Sequence, residues 1–149
     1  MATDADFMRR AIEIARRHPQ GPYGAVIVDT RSNSVVAEGH NEASNPVLHD
    51  VISALIACPP AEALEGGRLT VYSTAEPCPM CAAAIVWSGV SRLVFGTSAA
   101  TLRSVGNRGV DIDAAEVIAR SSRASQIEII GGVLEEECDA LYVLDSPTA

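Results

Sequence analysis

The sequence predicts an α/β protein, a mixed sheet with helices packed on both of its faces. Two short apolar segments, Ala25 to Asp29 and Val35 to Glu38, flank the turn-rich Thr30 to Ser34 and read as a β-hairpin. Beyond it, helix-like and strand-like stretches alternate, which is the pattern of helices laid over a sheet. The composition supports one ordinary core: 149 residues, 48% apolar and 20% charged, are globular rather than disordered. No repeat, low-complexity tract or linker divides the chain, so residues 1–149 are expected to form a single domain.

The first helix is expected over residues 4 to 17, with Thr3 as its cap and Phe7, Ala11, Ile14 and Ala15 at helical spacing. Gly21-Pro22-Tyr23-Gly24 breaks that pattern before the hairpin. Asn45-Pro46 reads as the opening of a second helix, a capping residue followed by proline at the first helical position. Leu48, Val51, Ile52 and Leu55 give this helix an apolar face, and Pro59-Pro60 ends it. Leu69 to Ser73 is a strand, Cys78 to Trp87 a helix stopped near Gly89, and Arg92 to Gly96 a further strand. Asp113 to Ser121 is expected to be helical, Ile127 to Ile130 a strand and Val133 to Val143 the closing helix.

No apolar run approaches the ~20 residues that a membrane helix needs, and Met1-Ala2-Thr3-Asp4-Ala5-Asp6 lacks the basic and apolar regions of a signal peptide. No membrane association and a cytoplasmic location are expected. The formal net charge of -8 weighs against a duplex or tRNA substrate, because an acidic surface repels phosphate backbones. Arg9, Arg10, Arg16 and Arg17 cluster on the first helix and read as its solvated face.

The chemistry is concentrated in His49 and the pair Cys78 and Cys81. Thiols at i and i+3 share one face of a helical turn, and at a helix N-terminus the unpaired N–H groups and the dipole favour thiolates. A C-x-x-C pair can also be a dithiol redox couple. Here it follows a hairpin and a helix, carries Pro77 before it and has no preceding Trp, which favours zinc. His49, Cys78 and Cys81 supply three ligands and leave a fourth position open, as catalytic zinc sites do. Cys58 lies nine residues after His49, ~13 Å along one helix, too far to be a fourth ligand. It and Cys138 read as buried small residues.

Leu48-His49-Asp50-Val51 and Glu76-Pro77-Cys78-Pro79-Met80-Cys81 together resemble the signature of the zinc-dependent nucleobase and nucleoside deaminases, H-x-E followed by P-C-x-x-C. The likeness extends over most of the chain. Gly21-Pro22-Tyr23-Gly24-Ala25-Val26-Ile27-Val28 resembles the entry to the first strand in the guanine deaminase and tRNA-adenosine deaminase branch, and Gly131-Gly132-Val133-Leu134-Glu135-Glu136-Glu137-Cys138 is similar to its last helix. Gly39-His40-Asn41 resembles that branch's G-x-N, whose Asn bonds the substrate base. The resemblance implies a three-layer α/β/α sandwich with a mixed five-stranded sheet, of the cytidine deaminase kind, and a homodimer. It also implies Zn2+ on His49, Cys78 and Cys81, and substrate contacts from Asn41 and its neighbour His40.

One departure decides the functional question. Val51 stands where the family has the Glu that takes a proton from water at the zinc and passes it to the ring nitrogen and leaving amine. Valine cannot move a proton. Asp50 is adjacent, although helical geometry turns it ~100° from position 51. Asp111 and Asp113 lie where guanine deaminases carry a late acidic residue, and the alternative for Asp111 is helix capping. Glu76 is a weaker candidate, its position in the family looking structural. Three functions stay open. The first is a zinc-dependent hydrolytic deaminase acting on a small amino-substituted heterocycle, such as guanine or cytosine, with Asp50, Asp111 or Asp113 as the proton carrier. The second is a non-catalytic zinc-binding partner subunit, like the Val-bearing subunit of the eukaryotic tRNA-adenosine deaminase. The third is a different zinc-assisted reaction on a ring.

Overall fold

In the computed structural model, which describes residues 1–59, 68–107 and 109–143, five strands form one sheet in the order β2-β1-β3-β4-β5. They are β1 (Gly24–Asp29), β2 (Ser34–His40), β3 (Leu69–Ala75), β4 (Arg92–Thr97) and β5 (Glu128–Ile130). β1 pairs antiparallel with both β2 and β3, whereas β3–β4 and β4–β5 are parallel, so the sheet is mixed. The helices described are α1 (Asp4–Arg16), α2 (Asp50–Ala57), α3 (Pro79–Ser88), α4 (Ala99–Ser104), α5 (Ala114–Ala119) and α6 (Glu135–Val143).

The layers follow from the period-two alternation of the strands. Ala25, Ile27, Val71 and Leu93 turn to one face, where they meet Val51 and Ala54 of α2, Ile85 of α3 and Ile118 of α5. Val26, Val28, Tyr72 and Val94 turn to the other, against Phe7, Met8, Ala11 and Ile12 of α1 and Cys138 of α6. This is a three-layer α/β/α sandwich. Cys58 and Cys138 are buried, 7% and 0% exposed, and burial pushes the Cys138 thiol up to about 12. Arg9 and Arg10 are engaged at the surface by Asp6, Glu13 and Glu38. Among the described residues no helix is long and apolar enough to cross a membrane.

The helices begin where capping chemistry places them, and two differ from the sequence pattern. Thr3 and Asp6 form a reciprocal capping box at α1. α2 begins at Asp50 rather than at Asn45-Pro46. The segment before it folds back as a loop instead: Asn45 Oδ1 accepts from Val47 N, Asn45 O from Leu48 N, and Leu48 O from Glu42 N. Pro60, expected to help end α2, lies outside the described residues. α3 runs to Gly89, whose φ of 86° is the left-handed conformation of a helix stop. α4 has no counterpart in the expected elements, although Ser98 caps it by accepting from Thr101 N at 3.1 Å. α6 starts at Glu135, two residues late, because Gly132 and Leu134 both take positive φ.

Glu76 joins the end of β3 to two of these helices. Its Oε1 accepts from Ala99 N at 3.0 Å and its Oε2 from Ala114 N at 2.9 Å, the first residues of α4 and α5. One carboxylate thus satisfies an unpaired donor at each of two helix N-termini, where negative charge is also favoured. Glu76→Gln would leave one amide N–H facing an NH2 group. We expect it to lower stability by about 1–3 kcal/mol, read as a drop in the denaturant midpoint at unchanged slope.

At the opposite end of the sheet, Arg92 holds Asp4 at 2.8 and 2.6 Å, and Tyr72 Oη donates to the same carboxylate at 2.6 Å. The Arg92 hydrogen bond holds the Asp4 carboxyl below its ordinary 3.8, against partial burial. Folding therefore gains stability from Asp4 while it is ionised, and loses it as pH falls through that depressed value. Asp4→Asn should melt earlier than wild type at pH 7, and the gap should close below the ordinary carboxylate range in a pH series of melting curves.

Candidate metal centre and active site

His49 and Cys78 are each the residue immediately before a helix, α2 and α3, with extended backbone at φ/ψ of -69°/166° and -65°/169°. Neither makes a side-chain cap bond, so both side chains are available to the space between the helix starts. Pro79 fits the first turn of α3, where its missing N–H removes nothing. Cys81 follows one turn in. The first turn of α2 lies directly on Gly39: a Cβ there would come 2.2 Å from Asp50 O and 2.4 Å from Ala54 N. Only glycine permits that approach.

The three donor atoms fit zinc. Zn–S of about 2.3 Å and Zn–N of about 2.0–2.1 Å at tetrahedral angles put sulfur and nitrogen about 3.6 Å apart. Cys78 Sγ and Cys81 Sγ lie 3.4 and 3.7 Å from His49 Nδ1, and all three atoms lie within 4.8 Å of one another. The donor set is also electrostatically ready. A hydrogen bond from Cys81 pulls the Cys78 thiol down to about 4, with His49 adding to the effect, and the same bond holds Cys81 up. Cys78 in turn raises His49. The cluster shares protons that a cation would displace.

The centre opens into a cavity of about 280 Å³. Asn41, His49, Asp50, Cys78 and Cys81 line its metal end, Leu102, Val110 and Ile112 supply apolar wall, and Tyr23, Arg103 and Asn107 line it further out. Asn107 Nδ2 donates to Tyr23 Oη at 2.7 Å, tying the loop after α4 to the loop before β1.

The site residues expected from sequence fall into distinct groups. His49, Cys78 and Cys81 come together. Asn41 lines the cavity, and its Oδ1 also accepts from Asp50 N at 2.8 Å, so it caps α2 from outside the helix. Its Nδ2 is left without a partner among the described residues. Asp50 lines the cavity as a buried carboxyl, 5% exposed, accepting from Ser73 Oγ at 2.9 Å. Burial pushes it up to about 6, against the opposing pull of Ser73 and of the Val51 amide. A bound cation would add a downward pull. Val51 is fully buried in the apolar cluster with Ala25, Ile27 and Ala54 and does not line the cavity.

His40, Asp111 and Asp113 are placed elsewhere. The His40 ring stacks on His18 with centroids 3.6 Å apart, its Nδ1 lies 3.0 Å from Asn41 O, and it does not line the cavity. Asp111 and Asp113 have side chains 80% and 57% exposed and both meet Arg103, at 3.1 and 3.4 Å. Neither reaches the cavity. Asp113, rather than Asp111, occupies the cap position of α5, without a side-chain cap bond. Glu76 lines the cavity but spends both oxygens on helix starts. The sequence reading missed Ser73 and the wall formed by Leu102, Val110 and Ile112. A serine in a fully buried strand was the available signal for the first, and the second has none, lying on a short helix and an irregular loop.

Known proteins share this fold and its zinc-binding region. The family model of the cytidine and deoxycytidylate deaminase zinc-binding region matches residues 1–97. A tRNA-specific adenosine deaminase of Haemophilus influenzae is 37% identical, over 91% of this chain and 78% of its own. A probable cytosine deaminase of Schizosaccharomyces pombe is 28% identical, over 90% and 86%. Among solved structures, the guanine deaminase from Nitrosomonas europaea superposes with a TM-score of 0.78 at 24% identity, covering 95% of this chain and 84% of its own. That likeness shows the shared fold. The family match extends from α1 to the end of β4 and takes in His49, Cys78 and Cys81, so the chain belongs to the cytidine and deoxycytidylate deaminase zinc-binding family.

Proposed function

We propose that this protein is a zinc-dependent hydrolytic deaminase of a small amino-substituted heterocycle, with Asp50 carrying the proton that Val51 cannot. The observation behind this is the Asp50 carboxyl, buried beside His49 and the cysteines in the cavity that Asn41 lines. Held by His49, Cys78 and Cys81, zinc supplies Lewis acidity that makes water a nucleophile near neutral pH. The net reaction replaces a ring amino group by oxygen: water adds at the amino-bearing carbon and ammonia leaves. Asp50 accepts one proton from the attacking water and passes it to the ring nitrogen, then takes the second from the hydroxyl of the adduct and passes it to the departing amine. Asn41 presents its NH2 group to the heterocycle, and Leu102, Val110 and Ile112 flank the ring and exclude water.

The relatives direct the choice of substrates to test, because their names include cytosine, guanine and tRNA-adenosine deaminases. A cavity of about 280 Å³ suits a base or nucleoside, and the charge of -8 disfavours a nucleic-acid strand. A cytoplasmic homodimer is part of the proposal. Trp87 on α3 and Ile56 on α2, 90% and 70% exposed, support an apolar contact with a second subunit.

Ammonia release from guanine, cytosine, adenine and their nucleosides tests the reading. Purified protein should hold about one zinc per chain, and stripping it with a chelator should abolish turnover until zinc is restored. Asp50→Asn should keep the metal and lower kcat by about 10²–10⁴. Unchanged turnover in that variant would remove Asp50 from the role. Asn41→Ala should raise KM, and it should also cost about 1 kcal/mol of stability, because the Asp50 amide loses its acceptor. A rise in KM without any change in the melting curve would contradict that dual role.

A further inference from the structure

We propose that Ser73 is a positioning residue that holds the Asp50 carboxyl at the metal-binding end of the cavity. The inference rests on the reading of Asp50 as the proton carrier. Ser73 Oγ lies 2.9 Å from Asp50 Oδ2 and 2.8 Å from Ala75 O, with Ser73 1% exposed and Asp50 5%. A hydroxyl has one hydrogen and two lone pairs, so it cannot donate to both oxygens at once. With its hydrogen on Asp50 it fixes a carboxylate that accepts. With its hydrogen on Ala75 O it offers a lone pair to a carboxyl that donates. In either orientation the hydroxyl stays within hydrogen-bond reach of Asp50 Oδ2, so the carboxyl keeps its place.

The backbone makes this hold firm. Ser73 belongs to β3, which is paired on both sides, Ser73 opposite Ala25 of β1 and Phe95 of β4. Beyond the end of β3 the chain runs directly through Glu76 and Pro77 to Cys78, so the hydroxyl is fixed close to the cysteine ligands. Asn41, just beyond the end of β2, holds the Asp50 backbone by its N–H. Asp50 is therefore fastened twice, by main chain to one strand end and by side chain to another. Were Ser73 only a buried hydroxyl satisfied by its own strand, Ala75 O would suffice and the contact with Asp50 would be idle.

The two roles separate in cobalt(II)-substituted protein, whose visible absorption bands report the surroundings of the metal. Ser73→Ala should retain one metal per chain and shift those bands, and Ser73→Thr should restore them. Asp50→Asn should shift them too, and adding Ser73→Ala to Asp50→Asn should change nothing more, since one residue acts through the other. On whichever of guanine, cytosine and adenine the wild type deaminates fastest, Ser73→Ala should lower kcat by about 10–100-fold with KM nearly unchanged. If Ser73→Ala does not fold, Ser73→Cys, close in shape and a weak donor, should show the same changes in smaller measure. Wild-type bands and kcat in the Ser73 variants, alongside altered ones in Asp50→Asn, would overturn the role of Ser73 alone. An added effect of Ser73→Ala in the Asp50→Asn background would also overturn it. Wild-type bands and kcat in Asp50→Asn would overturn the Asp50 reading itself, and the inference with it.

Discussion

The first turn of α2 rests on bare backbone at Gly39, and the site depends on that contact. Any side chain at position 39 would meet Asp50 O and Ala54 N well inside van der Waals distance, and the helix would have to lift from β2. His49 and Asp50 would move with it, while Cys78 and Cys81, carried by β3 and α3, would stay. Donor distances of 3.4 and 3.7 Å leave little room for such a shift. A single missing Cβ thus sets the spacing between the two halves of the metal centre.

Much of the architecture could be read from the chain because it is written in local patterns. The hairpin shows in two apolar runs around a polar turn. The metal ligands show in residue type and spacing, a C-x-x-C pair preceded by Pro77 with a histidine upstream. What could not be read is what tertiary contact decides. Asn45-Pro46 has the form of a helix opening, yet Asn45 spends its side chain and carbonyl on the loop that returns to Glu42. α4 is six residues long and has no apolar periodicity to announce it.

Asp50 is the instructive case. Turning ~100° per residue away from position 51 places Asp50 off the site, provided that position 51 faces it. Here position 51 is filled by an apolar side chain that packs among Ala25, Ile27 and Ala54, and Asp50 borders the cavity. Asp111 and Asp113 fail for an opposite reason. They are close in sequence to the cavity wall, but Arg103 draws both carboxylates to the surface. Proximity along the chain says nothing about which way a loop side chain turns when a guanidinium competes for it.

The position of β3 in the middle of the sheet bears on how the molecule comes together. β1 and β2 are neighbours in sequence and can pair early, because closing a short loop is inexpensive in entropy. β3 then joins the hairpin to the rest of the sheet, pairing antiparallel with β1 and parallel with β4. His49 and Cys78 are 29 residues apart, and the pairing of β3 with β1 is what brings their segments together. Unlike a small zinc-nucleated finger, this chain has an apolar core on each side of its sheet to carry folding without the ion. The two cores hold the sheet and its helices together, and what an ion would add is confined to the starts of α2 and α3, where His49, Cys78 and Cys81 stand.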